Sequence, residues 1–342
     1  MKKQTNCESK IFPWHIHLAQ LYVLAQEYGI EKQDLLDAAG LTEPQLEDLT
    51  LNISWRQYRS MNQLVIDHGP SNWSLEFGKR LTLPTHGLLS LAIMNCNNFR
   101  QAVALLFEFK ALVESIFYLK QKETAKYLII ELYPEFTRDY LLTKSLEVFF
   151  IIVYQSLLSI CNFQEEIKNN TENFCIFLPG DPPPYLEEIQ KFFNNNLKFN
   201  QNRAEMRISK RLLDLDLCAA NPVTTHSLVT VLSAQLAQLP VIKGDLHVLH
   251  DAFREGIYTQ EGCAKAFNIS VPTLKRRLKL SFSTFSYELA SFRHIEACYA
   301  LEYESLSIDS IADKLGFQDV GSFRRAFKKL SGITPNEYRD RH

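Results

Sequence analysis

Among the twelve glycines of this 342-residue chain, no two stand in a G-x-G pair, which removes the dinucleotide-binding fingerprint. The single G-x-x-x-x-G, from Gly316 to Gly321, runs into Ser322-Phe323 instead of Lys-Ser/Thr, so a phosphate-cradling loop is missing as well. No H-E-x-x-H and no G-x-S-x-G occurs, which removes the common zinc-protease and serine-hydrolase signatures. Seven cysteines (Cys7, Cys96, Cys161, Cys175, Cys218, Cys263 and Cys298) are scattered without C-x-x-C spacing and read as reduced, buried thiols of a cytosolic protein. The histidine pairs His15-x-His17 and His247-x-x-His250 lack a neighbouring cysteine or carboxylate at a metal-ligand spacing, so surface or core roles are expected and no metal or cofactor. Glu187-Glu188 is no catalytic pair either, because adjacent residues of a helix point apart. The most apolar run, Val148 to Cys161, is short and interrupted by Gln155, which fits a buried helix and no membrane span. Neither a signal nor a transit-peptide pattern follows Lys2-Lys3, and the expected location is the cytoplasm. With only thirteen prolines besides the few glycines, loops are scarce and helix is favoured.

What the chain does contain is unevenly placed charge. The net formal charge is −2, yet Lys275, Arg276, Arg277 and Lys279 crowd one short segment and Arg324, Arg325, Lys328 and Lys329 another. These segments belong to an internal repeat. Gln260 to Lys279 aligns with Ile308 to Lys328, the second copy carrying one extra residue in its turn: Ala264 matches Ala312, Leu274 matches Phe323, and Lys275, Arg276 and Lys279 match Arg324, Arg325 and Lys328. Each copy reads as a short helix, a tight turn and a second helix, with Asn268 and Gly316 at the positions that call for a left-handed backbone. The second helix of each copy would bury Leu274 and Leu278, or Phe323 and Phe327, and turn its basic residues outward. Slim residues at its start (Pro272-Thr273, Gly321-Ser322) allow close approach to a major groove. Between the copies, Thr284 to Leu301 predicts a helix that spans about 26 Å at about 1.5 Å per residue; adding the width of the flanking elements brings the two basic helices near the repeat of the duplex, about 34 Å.

At these residues the sequence resembles the AraC/XylS family of bacterial transcription regulators. The likeness runs from Ile308 to Arg339 through Ile311-Ala312, Leu315-Gly316-Phe317, Phe323 to Lys328, Gly332, Pro335 and Tyr338-Arg339, and includes the first copy through Ala264, Ser270, Leu274, Arg276, Leu278 and Phe285. Phe282 departs from the glycine common there. The resemblance implies an all-α, double helix-turn-helix domain over 241–342, with base contacts at Pro272, Lys275, Arg276, Gly321, Arg324 and Arg325. Thr273 and Ser322 belong to the same DNA-facing ends. Lys279, Lys328 and Lys329 would meet phosphates, which position a protein without specifying sequence. Arg277 matches Ala326 and is expected to face away.

Residues 1–240 read as an α+β domain: mainly helical, with strands at Ile116–Lys122, Lys126–Tyr133, Phe174–Leu178 and near Leu197 and Met206, and helices that include Ser54–His68, Arg138–Ile160 and Pro222–Leu239. Ser54 to Glu114 resembles, through Trp55, Gly78, Gly87 and Phe99-Arg100-Gln101-Ala102, the arabinose-binding-type domain that precedes many such regulators, which implies an effector and dimerisation module. Phe107, Phe117, Tyr133, Phe149 and Tyr154 are candidates for lining an apolar ligand pocket, with plain core packing as the other reading. The whole predicts a mainly α, non-enzymatic transcription regulator, expected to act as an activator. Its expected partners are double-stranded promoter DNA, RNA polymerase, a small-molecule effector and a second copy of the chain, and no membrane. A DNA-binding protein with a catalytic N-terminal domain, or an architectural binder, are the alternatives.

Overall fold

Two short strands without periodic signal, β1 (Lys10–Pro13) and β2 (Asn52–Ser54), pair antiparallel. Ser54 then opens helix Trp55–His68 by a reciprocal cap: its hydroxyl accepts from the Gln57 N–H at 3.3 Å, and the Gln57 amide oxygen accepts from the Ser54 N–H at 3.0 Å. Alternation beyond residue 116 yields the expected hairpin, β3 (Phe117–Glu123) with β4 (Tyr127–Pro134). With β5 (Phe174–Phe177), β6 (Leu197–Lys198) and β7 (Ala204–Ser209) it forms a five-stranded sheet of order β3-β4-β7-β5-β6, in which only the β5–β6 pair is parallel. The apolar residues of the sheet share one core with helix Tyr140–Ile160. That helix alone among those described is long and apolar enough to cross a bilayer; it is instead largely buried in this core and holds a buried Lys144–Glu147 ion pair. Gly78 of helix Trp73–Arg80 lets it approach closely: a Cβ there would stand 2.8 Å from Ile151 Cγ2.

The computed structural model describes residues 8–48, 50–239 and 243–341. The chain divides into two units, Met1–Asn200 with Ala204–Gly244, and Gln201–Arg203 with Asp245–His342. Cys7 and residues 240–242 of the hinge expected at Pro240–Gly244 lie outside the described residues.

The second unit is all helical: Asp245–Arg254, Gln260–Ala266, Val271–Leu280, Phe285–Tyr303, Ile308–Lys314, Val320–Ser331 and Pro335–Arg341. It has two small cores. Leu246, Leu249, Phe253, Ala264, Leu274 and Leu278 build the first; Leu301, Ile308, Ile311, Phe323, Phe327 and Tyr338 build the second. The 19-residue helix Phe285–Tyr303 serves both, giving Phe285 and Phe292 to one and Ala297, Cys298 and Leu301 to the other. Both turns take the left-handed form read from the sequence, Asn268 at φ 54° and Gly316 at φ 68°. Gly316 is required twice over, since a Cβ would stand 2.3 Å from Tyr258 Cε2.

Phe282 also sits at a positive φ, 53°, with its ring more than half exposed. Phe282 thus takes a left-handed backbone at the position where the resemblance leads one to expect glycine, against the cost that a β-carbon imposes in this region. Phe282→Gly is expected to stabilise the protein by about 1 kcal/mol, read as a higher melting temperature of the full-length chain; a lower one would mean that the ring contributes more than its strain costs.

Candidate nucleic-acid interface

Helix Val271–Leu280 starts at Ser270, whose hydroxyl accepts from the Thr273 N–H at 3.3 Å, with Pro272 in the first turn where no N–H is needed. Leu274 and Leu278 are buried in the first core, which leaves Lys275, Arg276 and Lys279 exposed on the other side. Arg277 turns away, donating to Asp245 Oδ1 at 3.1 Å, as its match to Ala326 implied.

Helix Val320–Ser331 repeats the plan with a stronger cap. Asp319 accepts from the Ser322 N–H at 2.7 Å and from the Ser322 hydroxyl at 2.6 Å, and Ser322 accepts from Arg325 Nη2 at 2.9 Å. The Ser322 bonds hold the Asp319 carboxyl below its usual pKa, so an anion stands at the helix start. Gly321 leaves room for this chain: a Cβ there would lie 2.9 Å from Asp319 Oδ1 and 3.3 Å from Arg325 Nη1. Arg324, Arg325, Lys328 and Lys329 are exposed, while Phe323 and Phe327 fill the second core. No described residue pairs with Lys275, Arg276, Lys279, Arg324 or Lys329, so each of these cations is available to an outside anion, while the Thr334 N–H, with Lys328 close by, holds the Glu337 carboxyl below its usual pKa.

At about 1.5 Å per residue, the helix shared by the two cores runs about 28 Å. A cleft of about 830 Å³ opens between the two lobes, floored by Phe285, Leu289 and Arg293 of that helix, with Lys275 from one basic helix and Lys329 from the other among its walls. Arg293 fixes the geometry of this cleft. Its guanidinium lies 4.8 Å from the Tyr258 ring centroid of the first lobe and 4.4 Å from that of Phe317 in the second, and its Nη2 donates to the Gly316 carbonyl at 2.7 Å. Tyr258 adds a hydroxyl bond to the Lys314 carbonyl at 3.3 Å. Neither Arg293 nor Tyr258 is marked in the sequence by the repeat, because the clamp is made once, between the copies.

Of the histidines, His250 is buried against Glu288 at 2.8 Å, His247 contacts Asp251 at 3.5 Å, and His17 meets His86, Nε2 to Nε2, at 3.0 Å. Among the described residues, no three His, Cys, Asp or Glu side chains come together as a metal site would require. In the first unit, Phe117 and Phe149 line a small cavity, while Phe107, Tyr133 and Tyr154 line neither it nor the cavity beside it. Tyr133 stacks on Tyr118 and donates to Glu131 at 2.9 Å; Tyr154 packs among Phe174, Phe192 and Phe193.

Comparison with known proteins agrees with this architecture. A family described as the arabinose-binding domain of AraC transcription regulators, N-terminal, matches residues 29–217, and one described as a helix-turn-helix domain matches residues 263–341. The chain is 25% identical over 350 aligned residues to the ornithine utilization regulator of Pseudomonas aeruginosa, covering 99% of each protein. It is 35% identical over 75 residues to the transcriptional activator AggR of Escherichia coli, 22% of this chain and 28% of that one. The crystal structure of the transcriptional regulator CdpR from Pseudomonas aeruginosa aligns with 94% of this chain and 98% of its own at 15% identity and a TM-score of 0.44. With more than half of its length matched by the N-terminal family and a helix-turn-helix domain behind it, the chain belongs to the AraC-type transcription regulators.

Proposed function

We propose that the second unit reads a promoter through two basic helices and that the first unit, sensing a small effector, controls this reading in the cytoplasm. The observation that carries the reading is the matched presentation of unpaired cations. Lys275 and Arg324 stand at equivalent places of the repeat, as do Arg276 and Arg325, each opposite a buried pair of apolar residues. Arg276, Arg324, Arg325 and Lys275 are assigned to base edges, with Pro272, Thr273, Gly321 and Ser322 keeping the helix starts slim; Lys279, Lys328 and Lys329 are assigned to phosphates. The shared 28 Å helix supports occupation of successive major grooves by one chain, about 34 Å apart. Activation through contact with RNA polymerase is the direction we assign, in keeping with the name of the transcriptional activator AggR. A second copy is supported by helix Pro222–Gln238, which carries no Asp, Glu, Lys or Arg and leaves Val223 and Val231 exposed. Ornithine, which the name of the Pseudomonas relative mentions, is the reference compound for the effector half of the reading.

Selection from random duplexes by the full-length protein is expected to enrich two half-sites about one helical turn apart; enrichment of no motif would sink the reading. On the selected site, Lys279→Ala is expected to weaken specific and random DNA alike. It should lower the slope of log affinity against log salt by about one, the signature of one lost phosphate contact.

A further inference from the structure

The core helix of the first unit has one face that borders empty space along most of its length. Ser145, Val148, Phe149, Ile152 and Val153 line a cavity of about 70 Å³; Ile152, Val153, Ser156, Leu157 and Ile160 line a second of about 100 Å³. These residues recur every three or four positions, so the cavities lie end to end along one stripe of the helix and meet at Ile152 and Val153. Their chemistry differs. The second is walled mainly by Leu, Ile, Val, Phe and Met side chains from Leu83 to Ile208; besides His86 and Ser90, which bond to His17 and to the Leu83 carbonyl, it holds the Ser156 hydroxyl, sealed from solvent and without a hydrogen-bond partner. The first has polar walls: Tyr58, Ser145, His17, His86, Lys110 and Glu114.

None of these polar walls offers a spare charge. Lys110 is 3.3 Å from Glu114 and donates to the carbonyls of Glu114 and Phe117, while Glu114 accepts from the N–H groups of Ile116 and Phe117. The imidazole Nδ1 of His86 faces the carbonyls of Thr82 and Leu83 at 3.2 and 3.4 Å, so it carries the proton and Nε2 accepts from His17. Burial holds both histidines below their usual pKa, and the pair is neutral at pH 7.

Resting on the effector reading above, we propose that this double cavity is the effector site and that it takes a small amphipathic molecule: a hydrocarbon body of about six carbons with one uncharged polar end. The volume fits, since about 170 Å³ in all is roughly six water-sized groups, and an apolar cavity of about 150 Å³ holds benzene. A dibasic amino acid would meet a carboxylate already neutralised by Lys110. A sugar would place several hydroxyls among hydrocarbon walls where, of the wall hydroxyls, only those of Ser145 and Ser156 lack a hydrogen-bond partner, and each unpaired group disfavours binding.

The test is titration of the full-length protein at pH 7.5 with 1-hexanol, hexanoate, L-ornithine and L-arabinose, followed by calorimetry and by saturation transfer from protein to ligand protons. The expected order is 1-hexanol tightest, hexanoate at least tenfold weaker, and ornithine and arabinose not bound. Val153→Phe blocks the junction of the cavities and Ser156→Leu fills the apolar one. Each is expected to weaken hexanol at least tenfold while binding the selected DNA site as the parent does. Tighter binding of hexanoate, ornithine or arabinose, or hexanol binding that both variants retain, overturns the proposal. Promoter affinity with and without hexanol tests the underlying reading separately: hexanol bound at this site with unchanged promoter affinity keeps the site and removes its effector role.

Discussion

Replacing Glu288 with alanine is expected to destabilise the DNA-binding unit by about 3–5 kcal/mol, the cost of taking the shared carboxylate acceptor away from two buried donors. Glu288 is wholly buried, 2.8 Å from His250 Nε2, and its other carboxylate oxygen accepts from the Ser283 hydroxyl. The pair ties helix Asp245–Arg254 to the long helix that serves both cores, beside Phe253 and Phe292. Alanine would remove at once the carboxylate that the buried His250 imidazole and the Ser283 hydroxyl share. Since a domain has only about 5–15 kcal/mol of net stability, the first lobe should open at a much lower denaturant concentration. Hydrogen exchange of the full-length protein is the appropriate readout, because two units need not unfold together. Amides of residues 245–303 should lose protection while those of the first unit keep it. The control is Glu304→Ala, which removes an exposed pair with Lys314 and should cost at most about 1 kcal/mol. The joint change His250→Leu with Glu288→Met should be far milder than Glu288→Ala alone, since nothing charged is then left buried. A Glu288→Ala protein within about 1 kcal/mol of the parent would show that water reaches the site.

How far this protein could be read from its sequence depended on whether a feature repeats. The double helix-turn-helix was legible because two copies of one pattern constrain each other: Asn268 takes the left-handed turn that Gly316 takes, and Arg277, matched to Ala326, turns inward to Asp245. The hairpin Phe117–Pro134 was legible through its alternation. Strands β1 and β2 were not, because three or four residues carry no usable period and their pairing joins segments far apart in the chain. Helix Trp73–Arg80 was missed because it is short and holds Gly78, which reads as a breaker but is there to admit Ile151. Within the interface, the exposed cations were legible as the side of a helix opposite its leucines or phenylalanines. The chain Asp319–Ser322–Arg325 and the Arg293 clamp were not, since both depend on side-chain geometry with no sequence period. Of the aromatic candidates, Phe117 and Phe149 border a cavity while Tyr133 and Tyr154 find partners elsewhere, a division set by which side of a strand or helix each occupies.

Arg276→Ala and Arg325→Ala are each expected to weaken binding to the selected site by about 1–3 kcal/mol, roughly five- to 150-fold, with little change on random duplex. The discrimination comes from geometry. A guanidinium offers two parallel N–H donors that match O6 and N7 of guanine, so its loss is felt only where that base is present. Arginine-to-lysine changes at these positions should lose most of the same energy, because an ammonium keeps the charge and not the fork. The two arginines should nevertheless differ in detail. Arg276 has no partner among the described residues and must be ordered on binding, whereas Arg325 is already held by Ser322, itself fixed by Asp319. Ser322→Ala is therefore expected to weaken the specific site through Arg325 and to have almost no effect in an Arg325→Ala background, a coupling that a double-mutant cycle reads directly. Equal losses on specific and random DNA for both arginines would reassign them to phosphates, and additivity of Ser322→Ala with Arg325→Ala would remove the positioning role of Ser322.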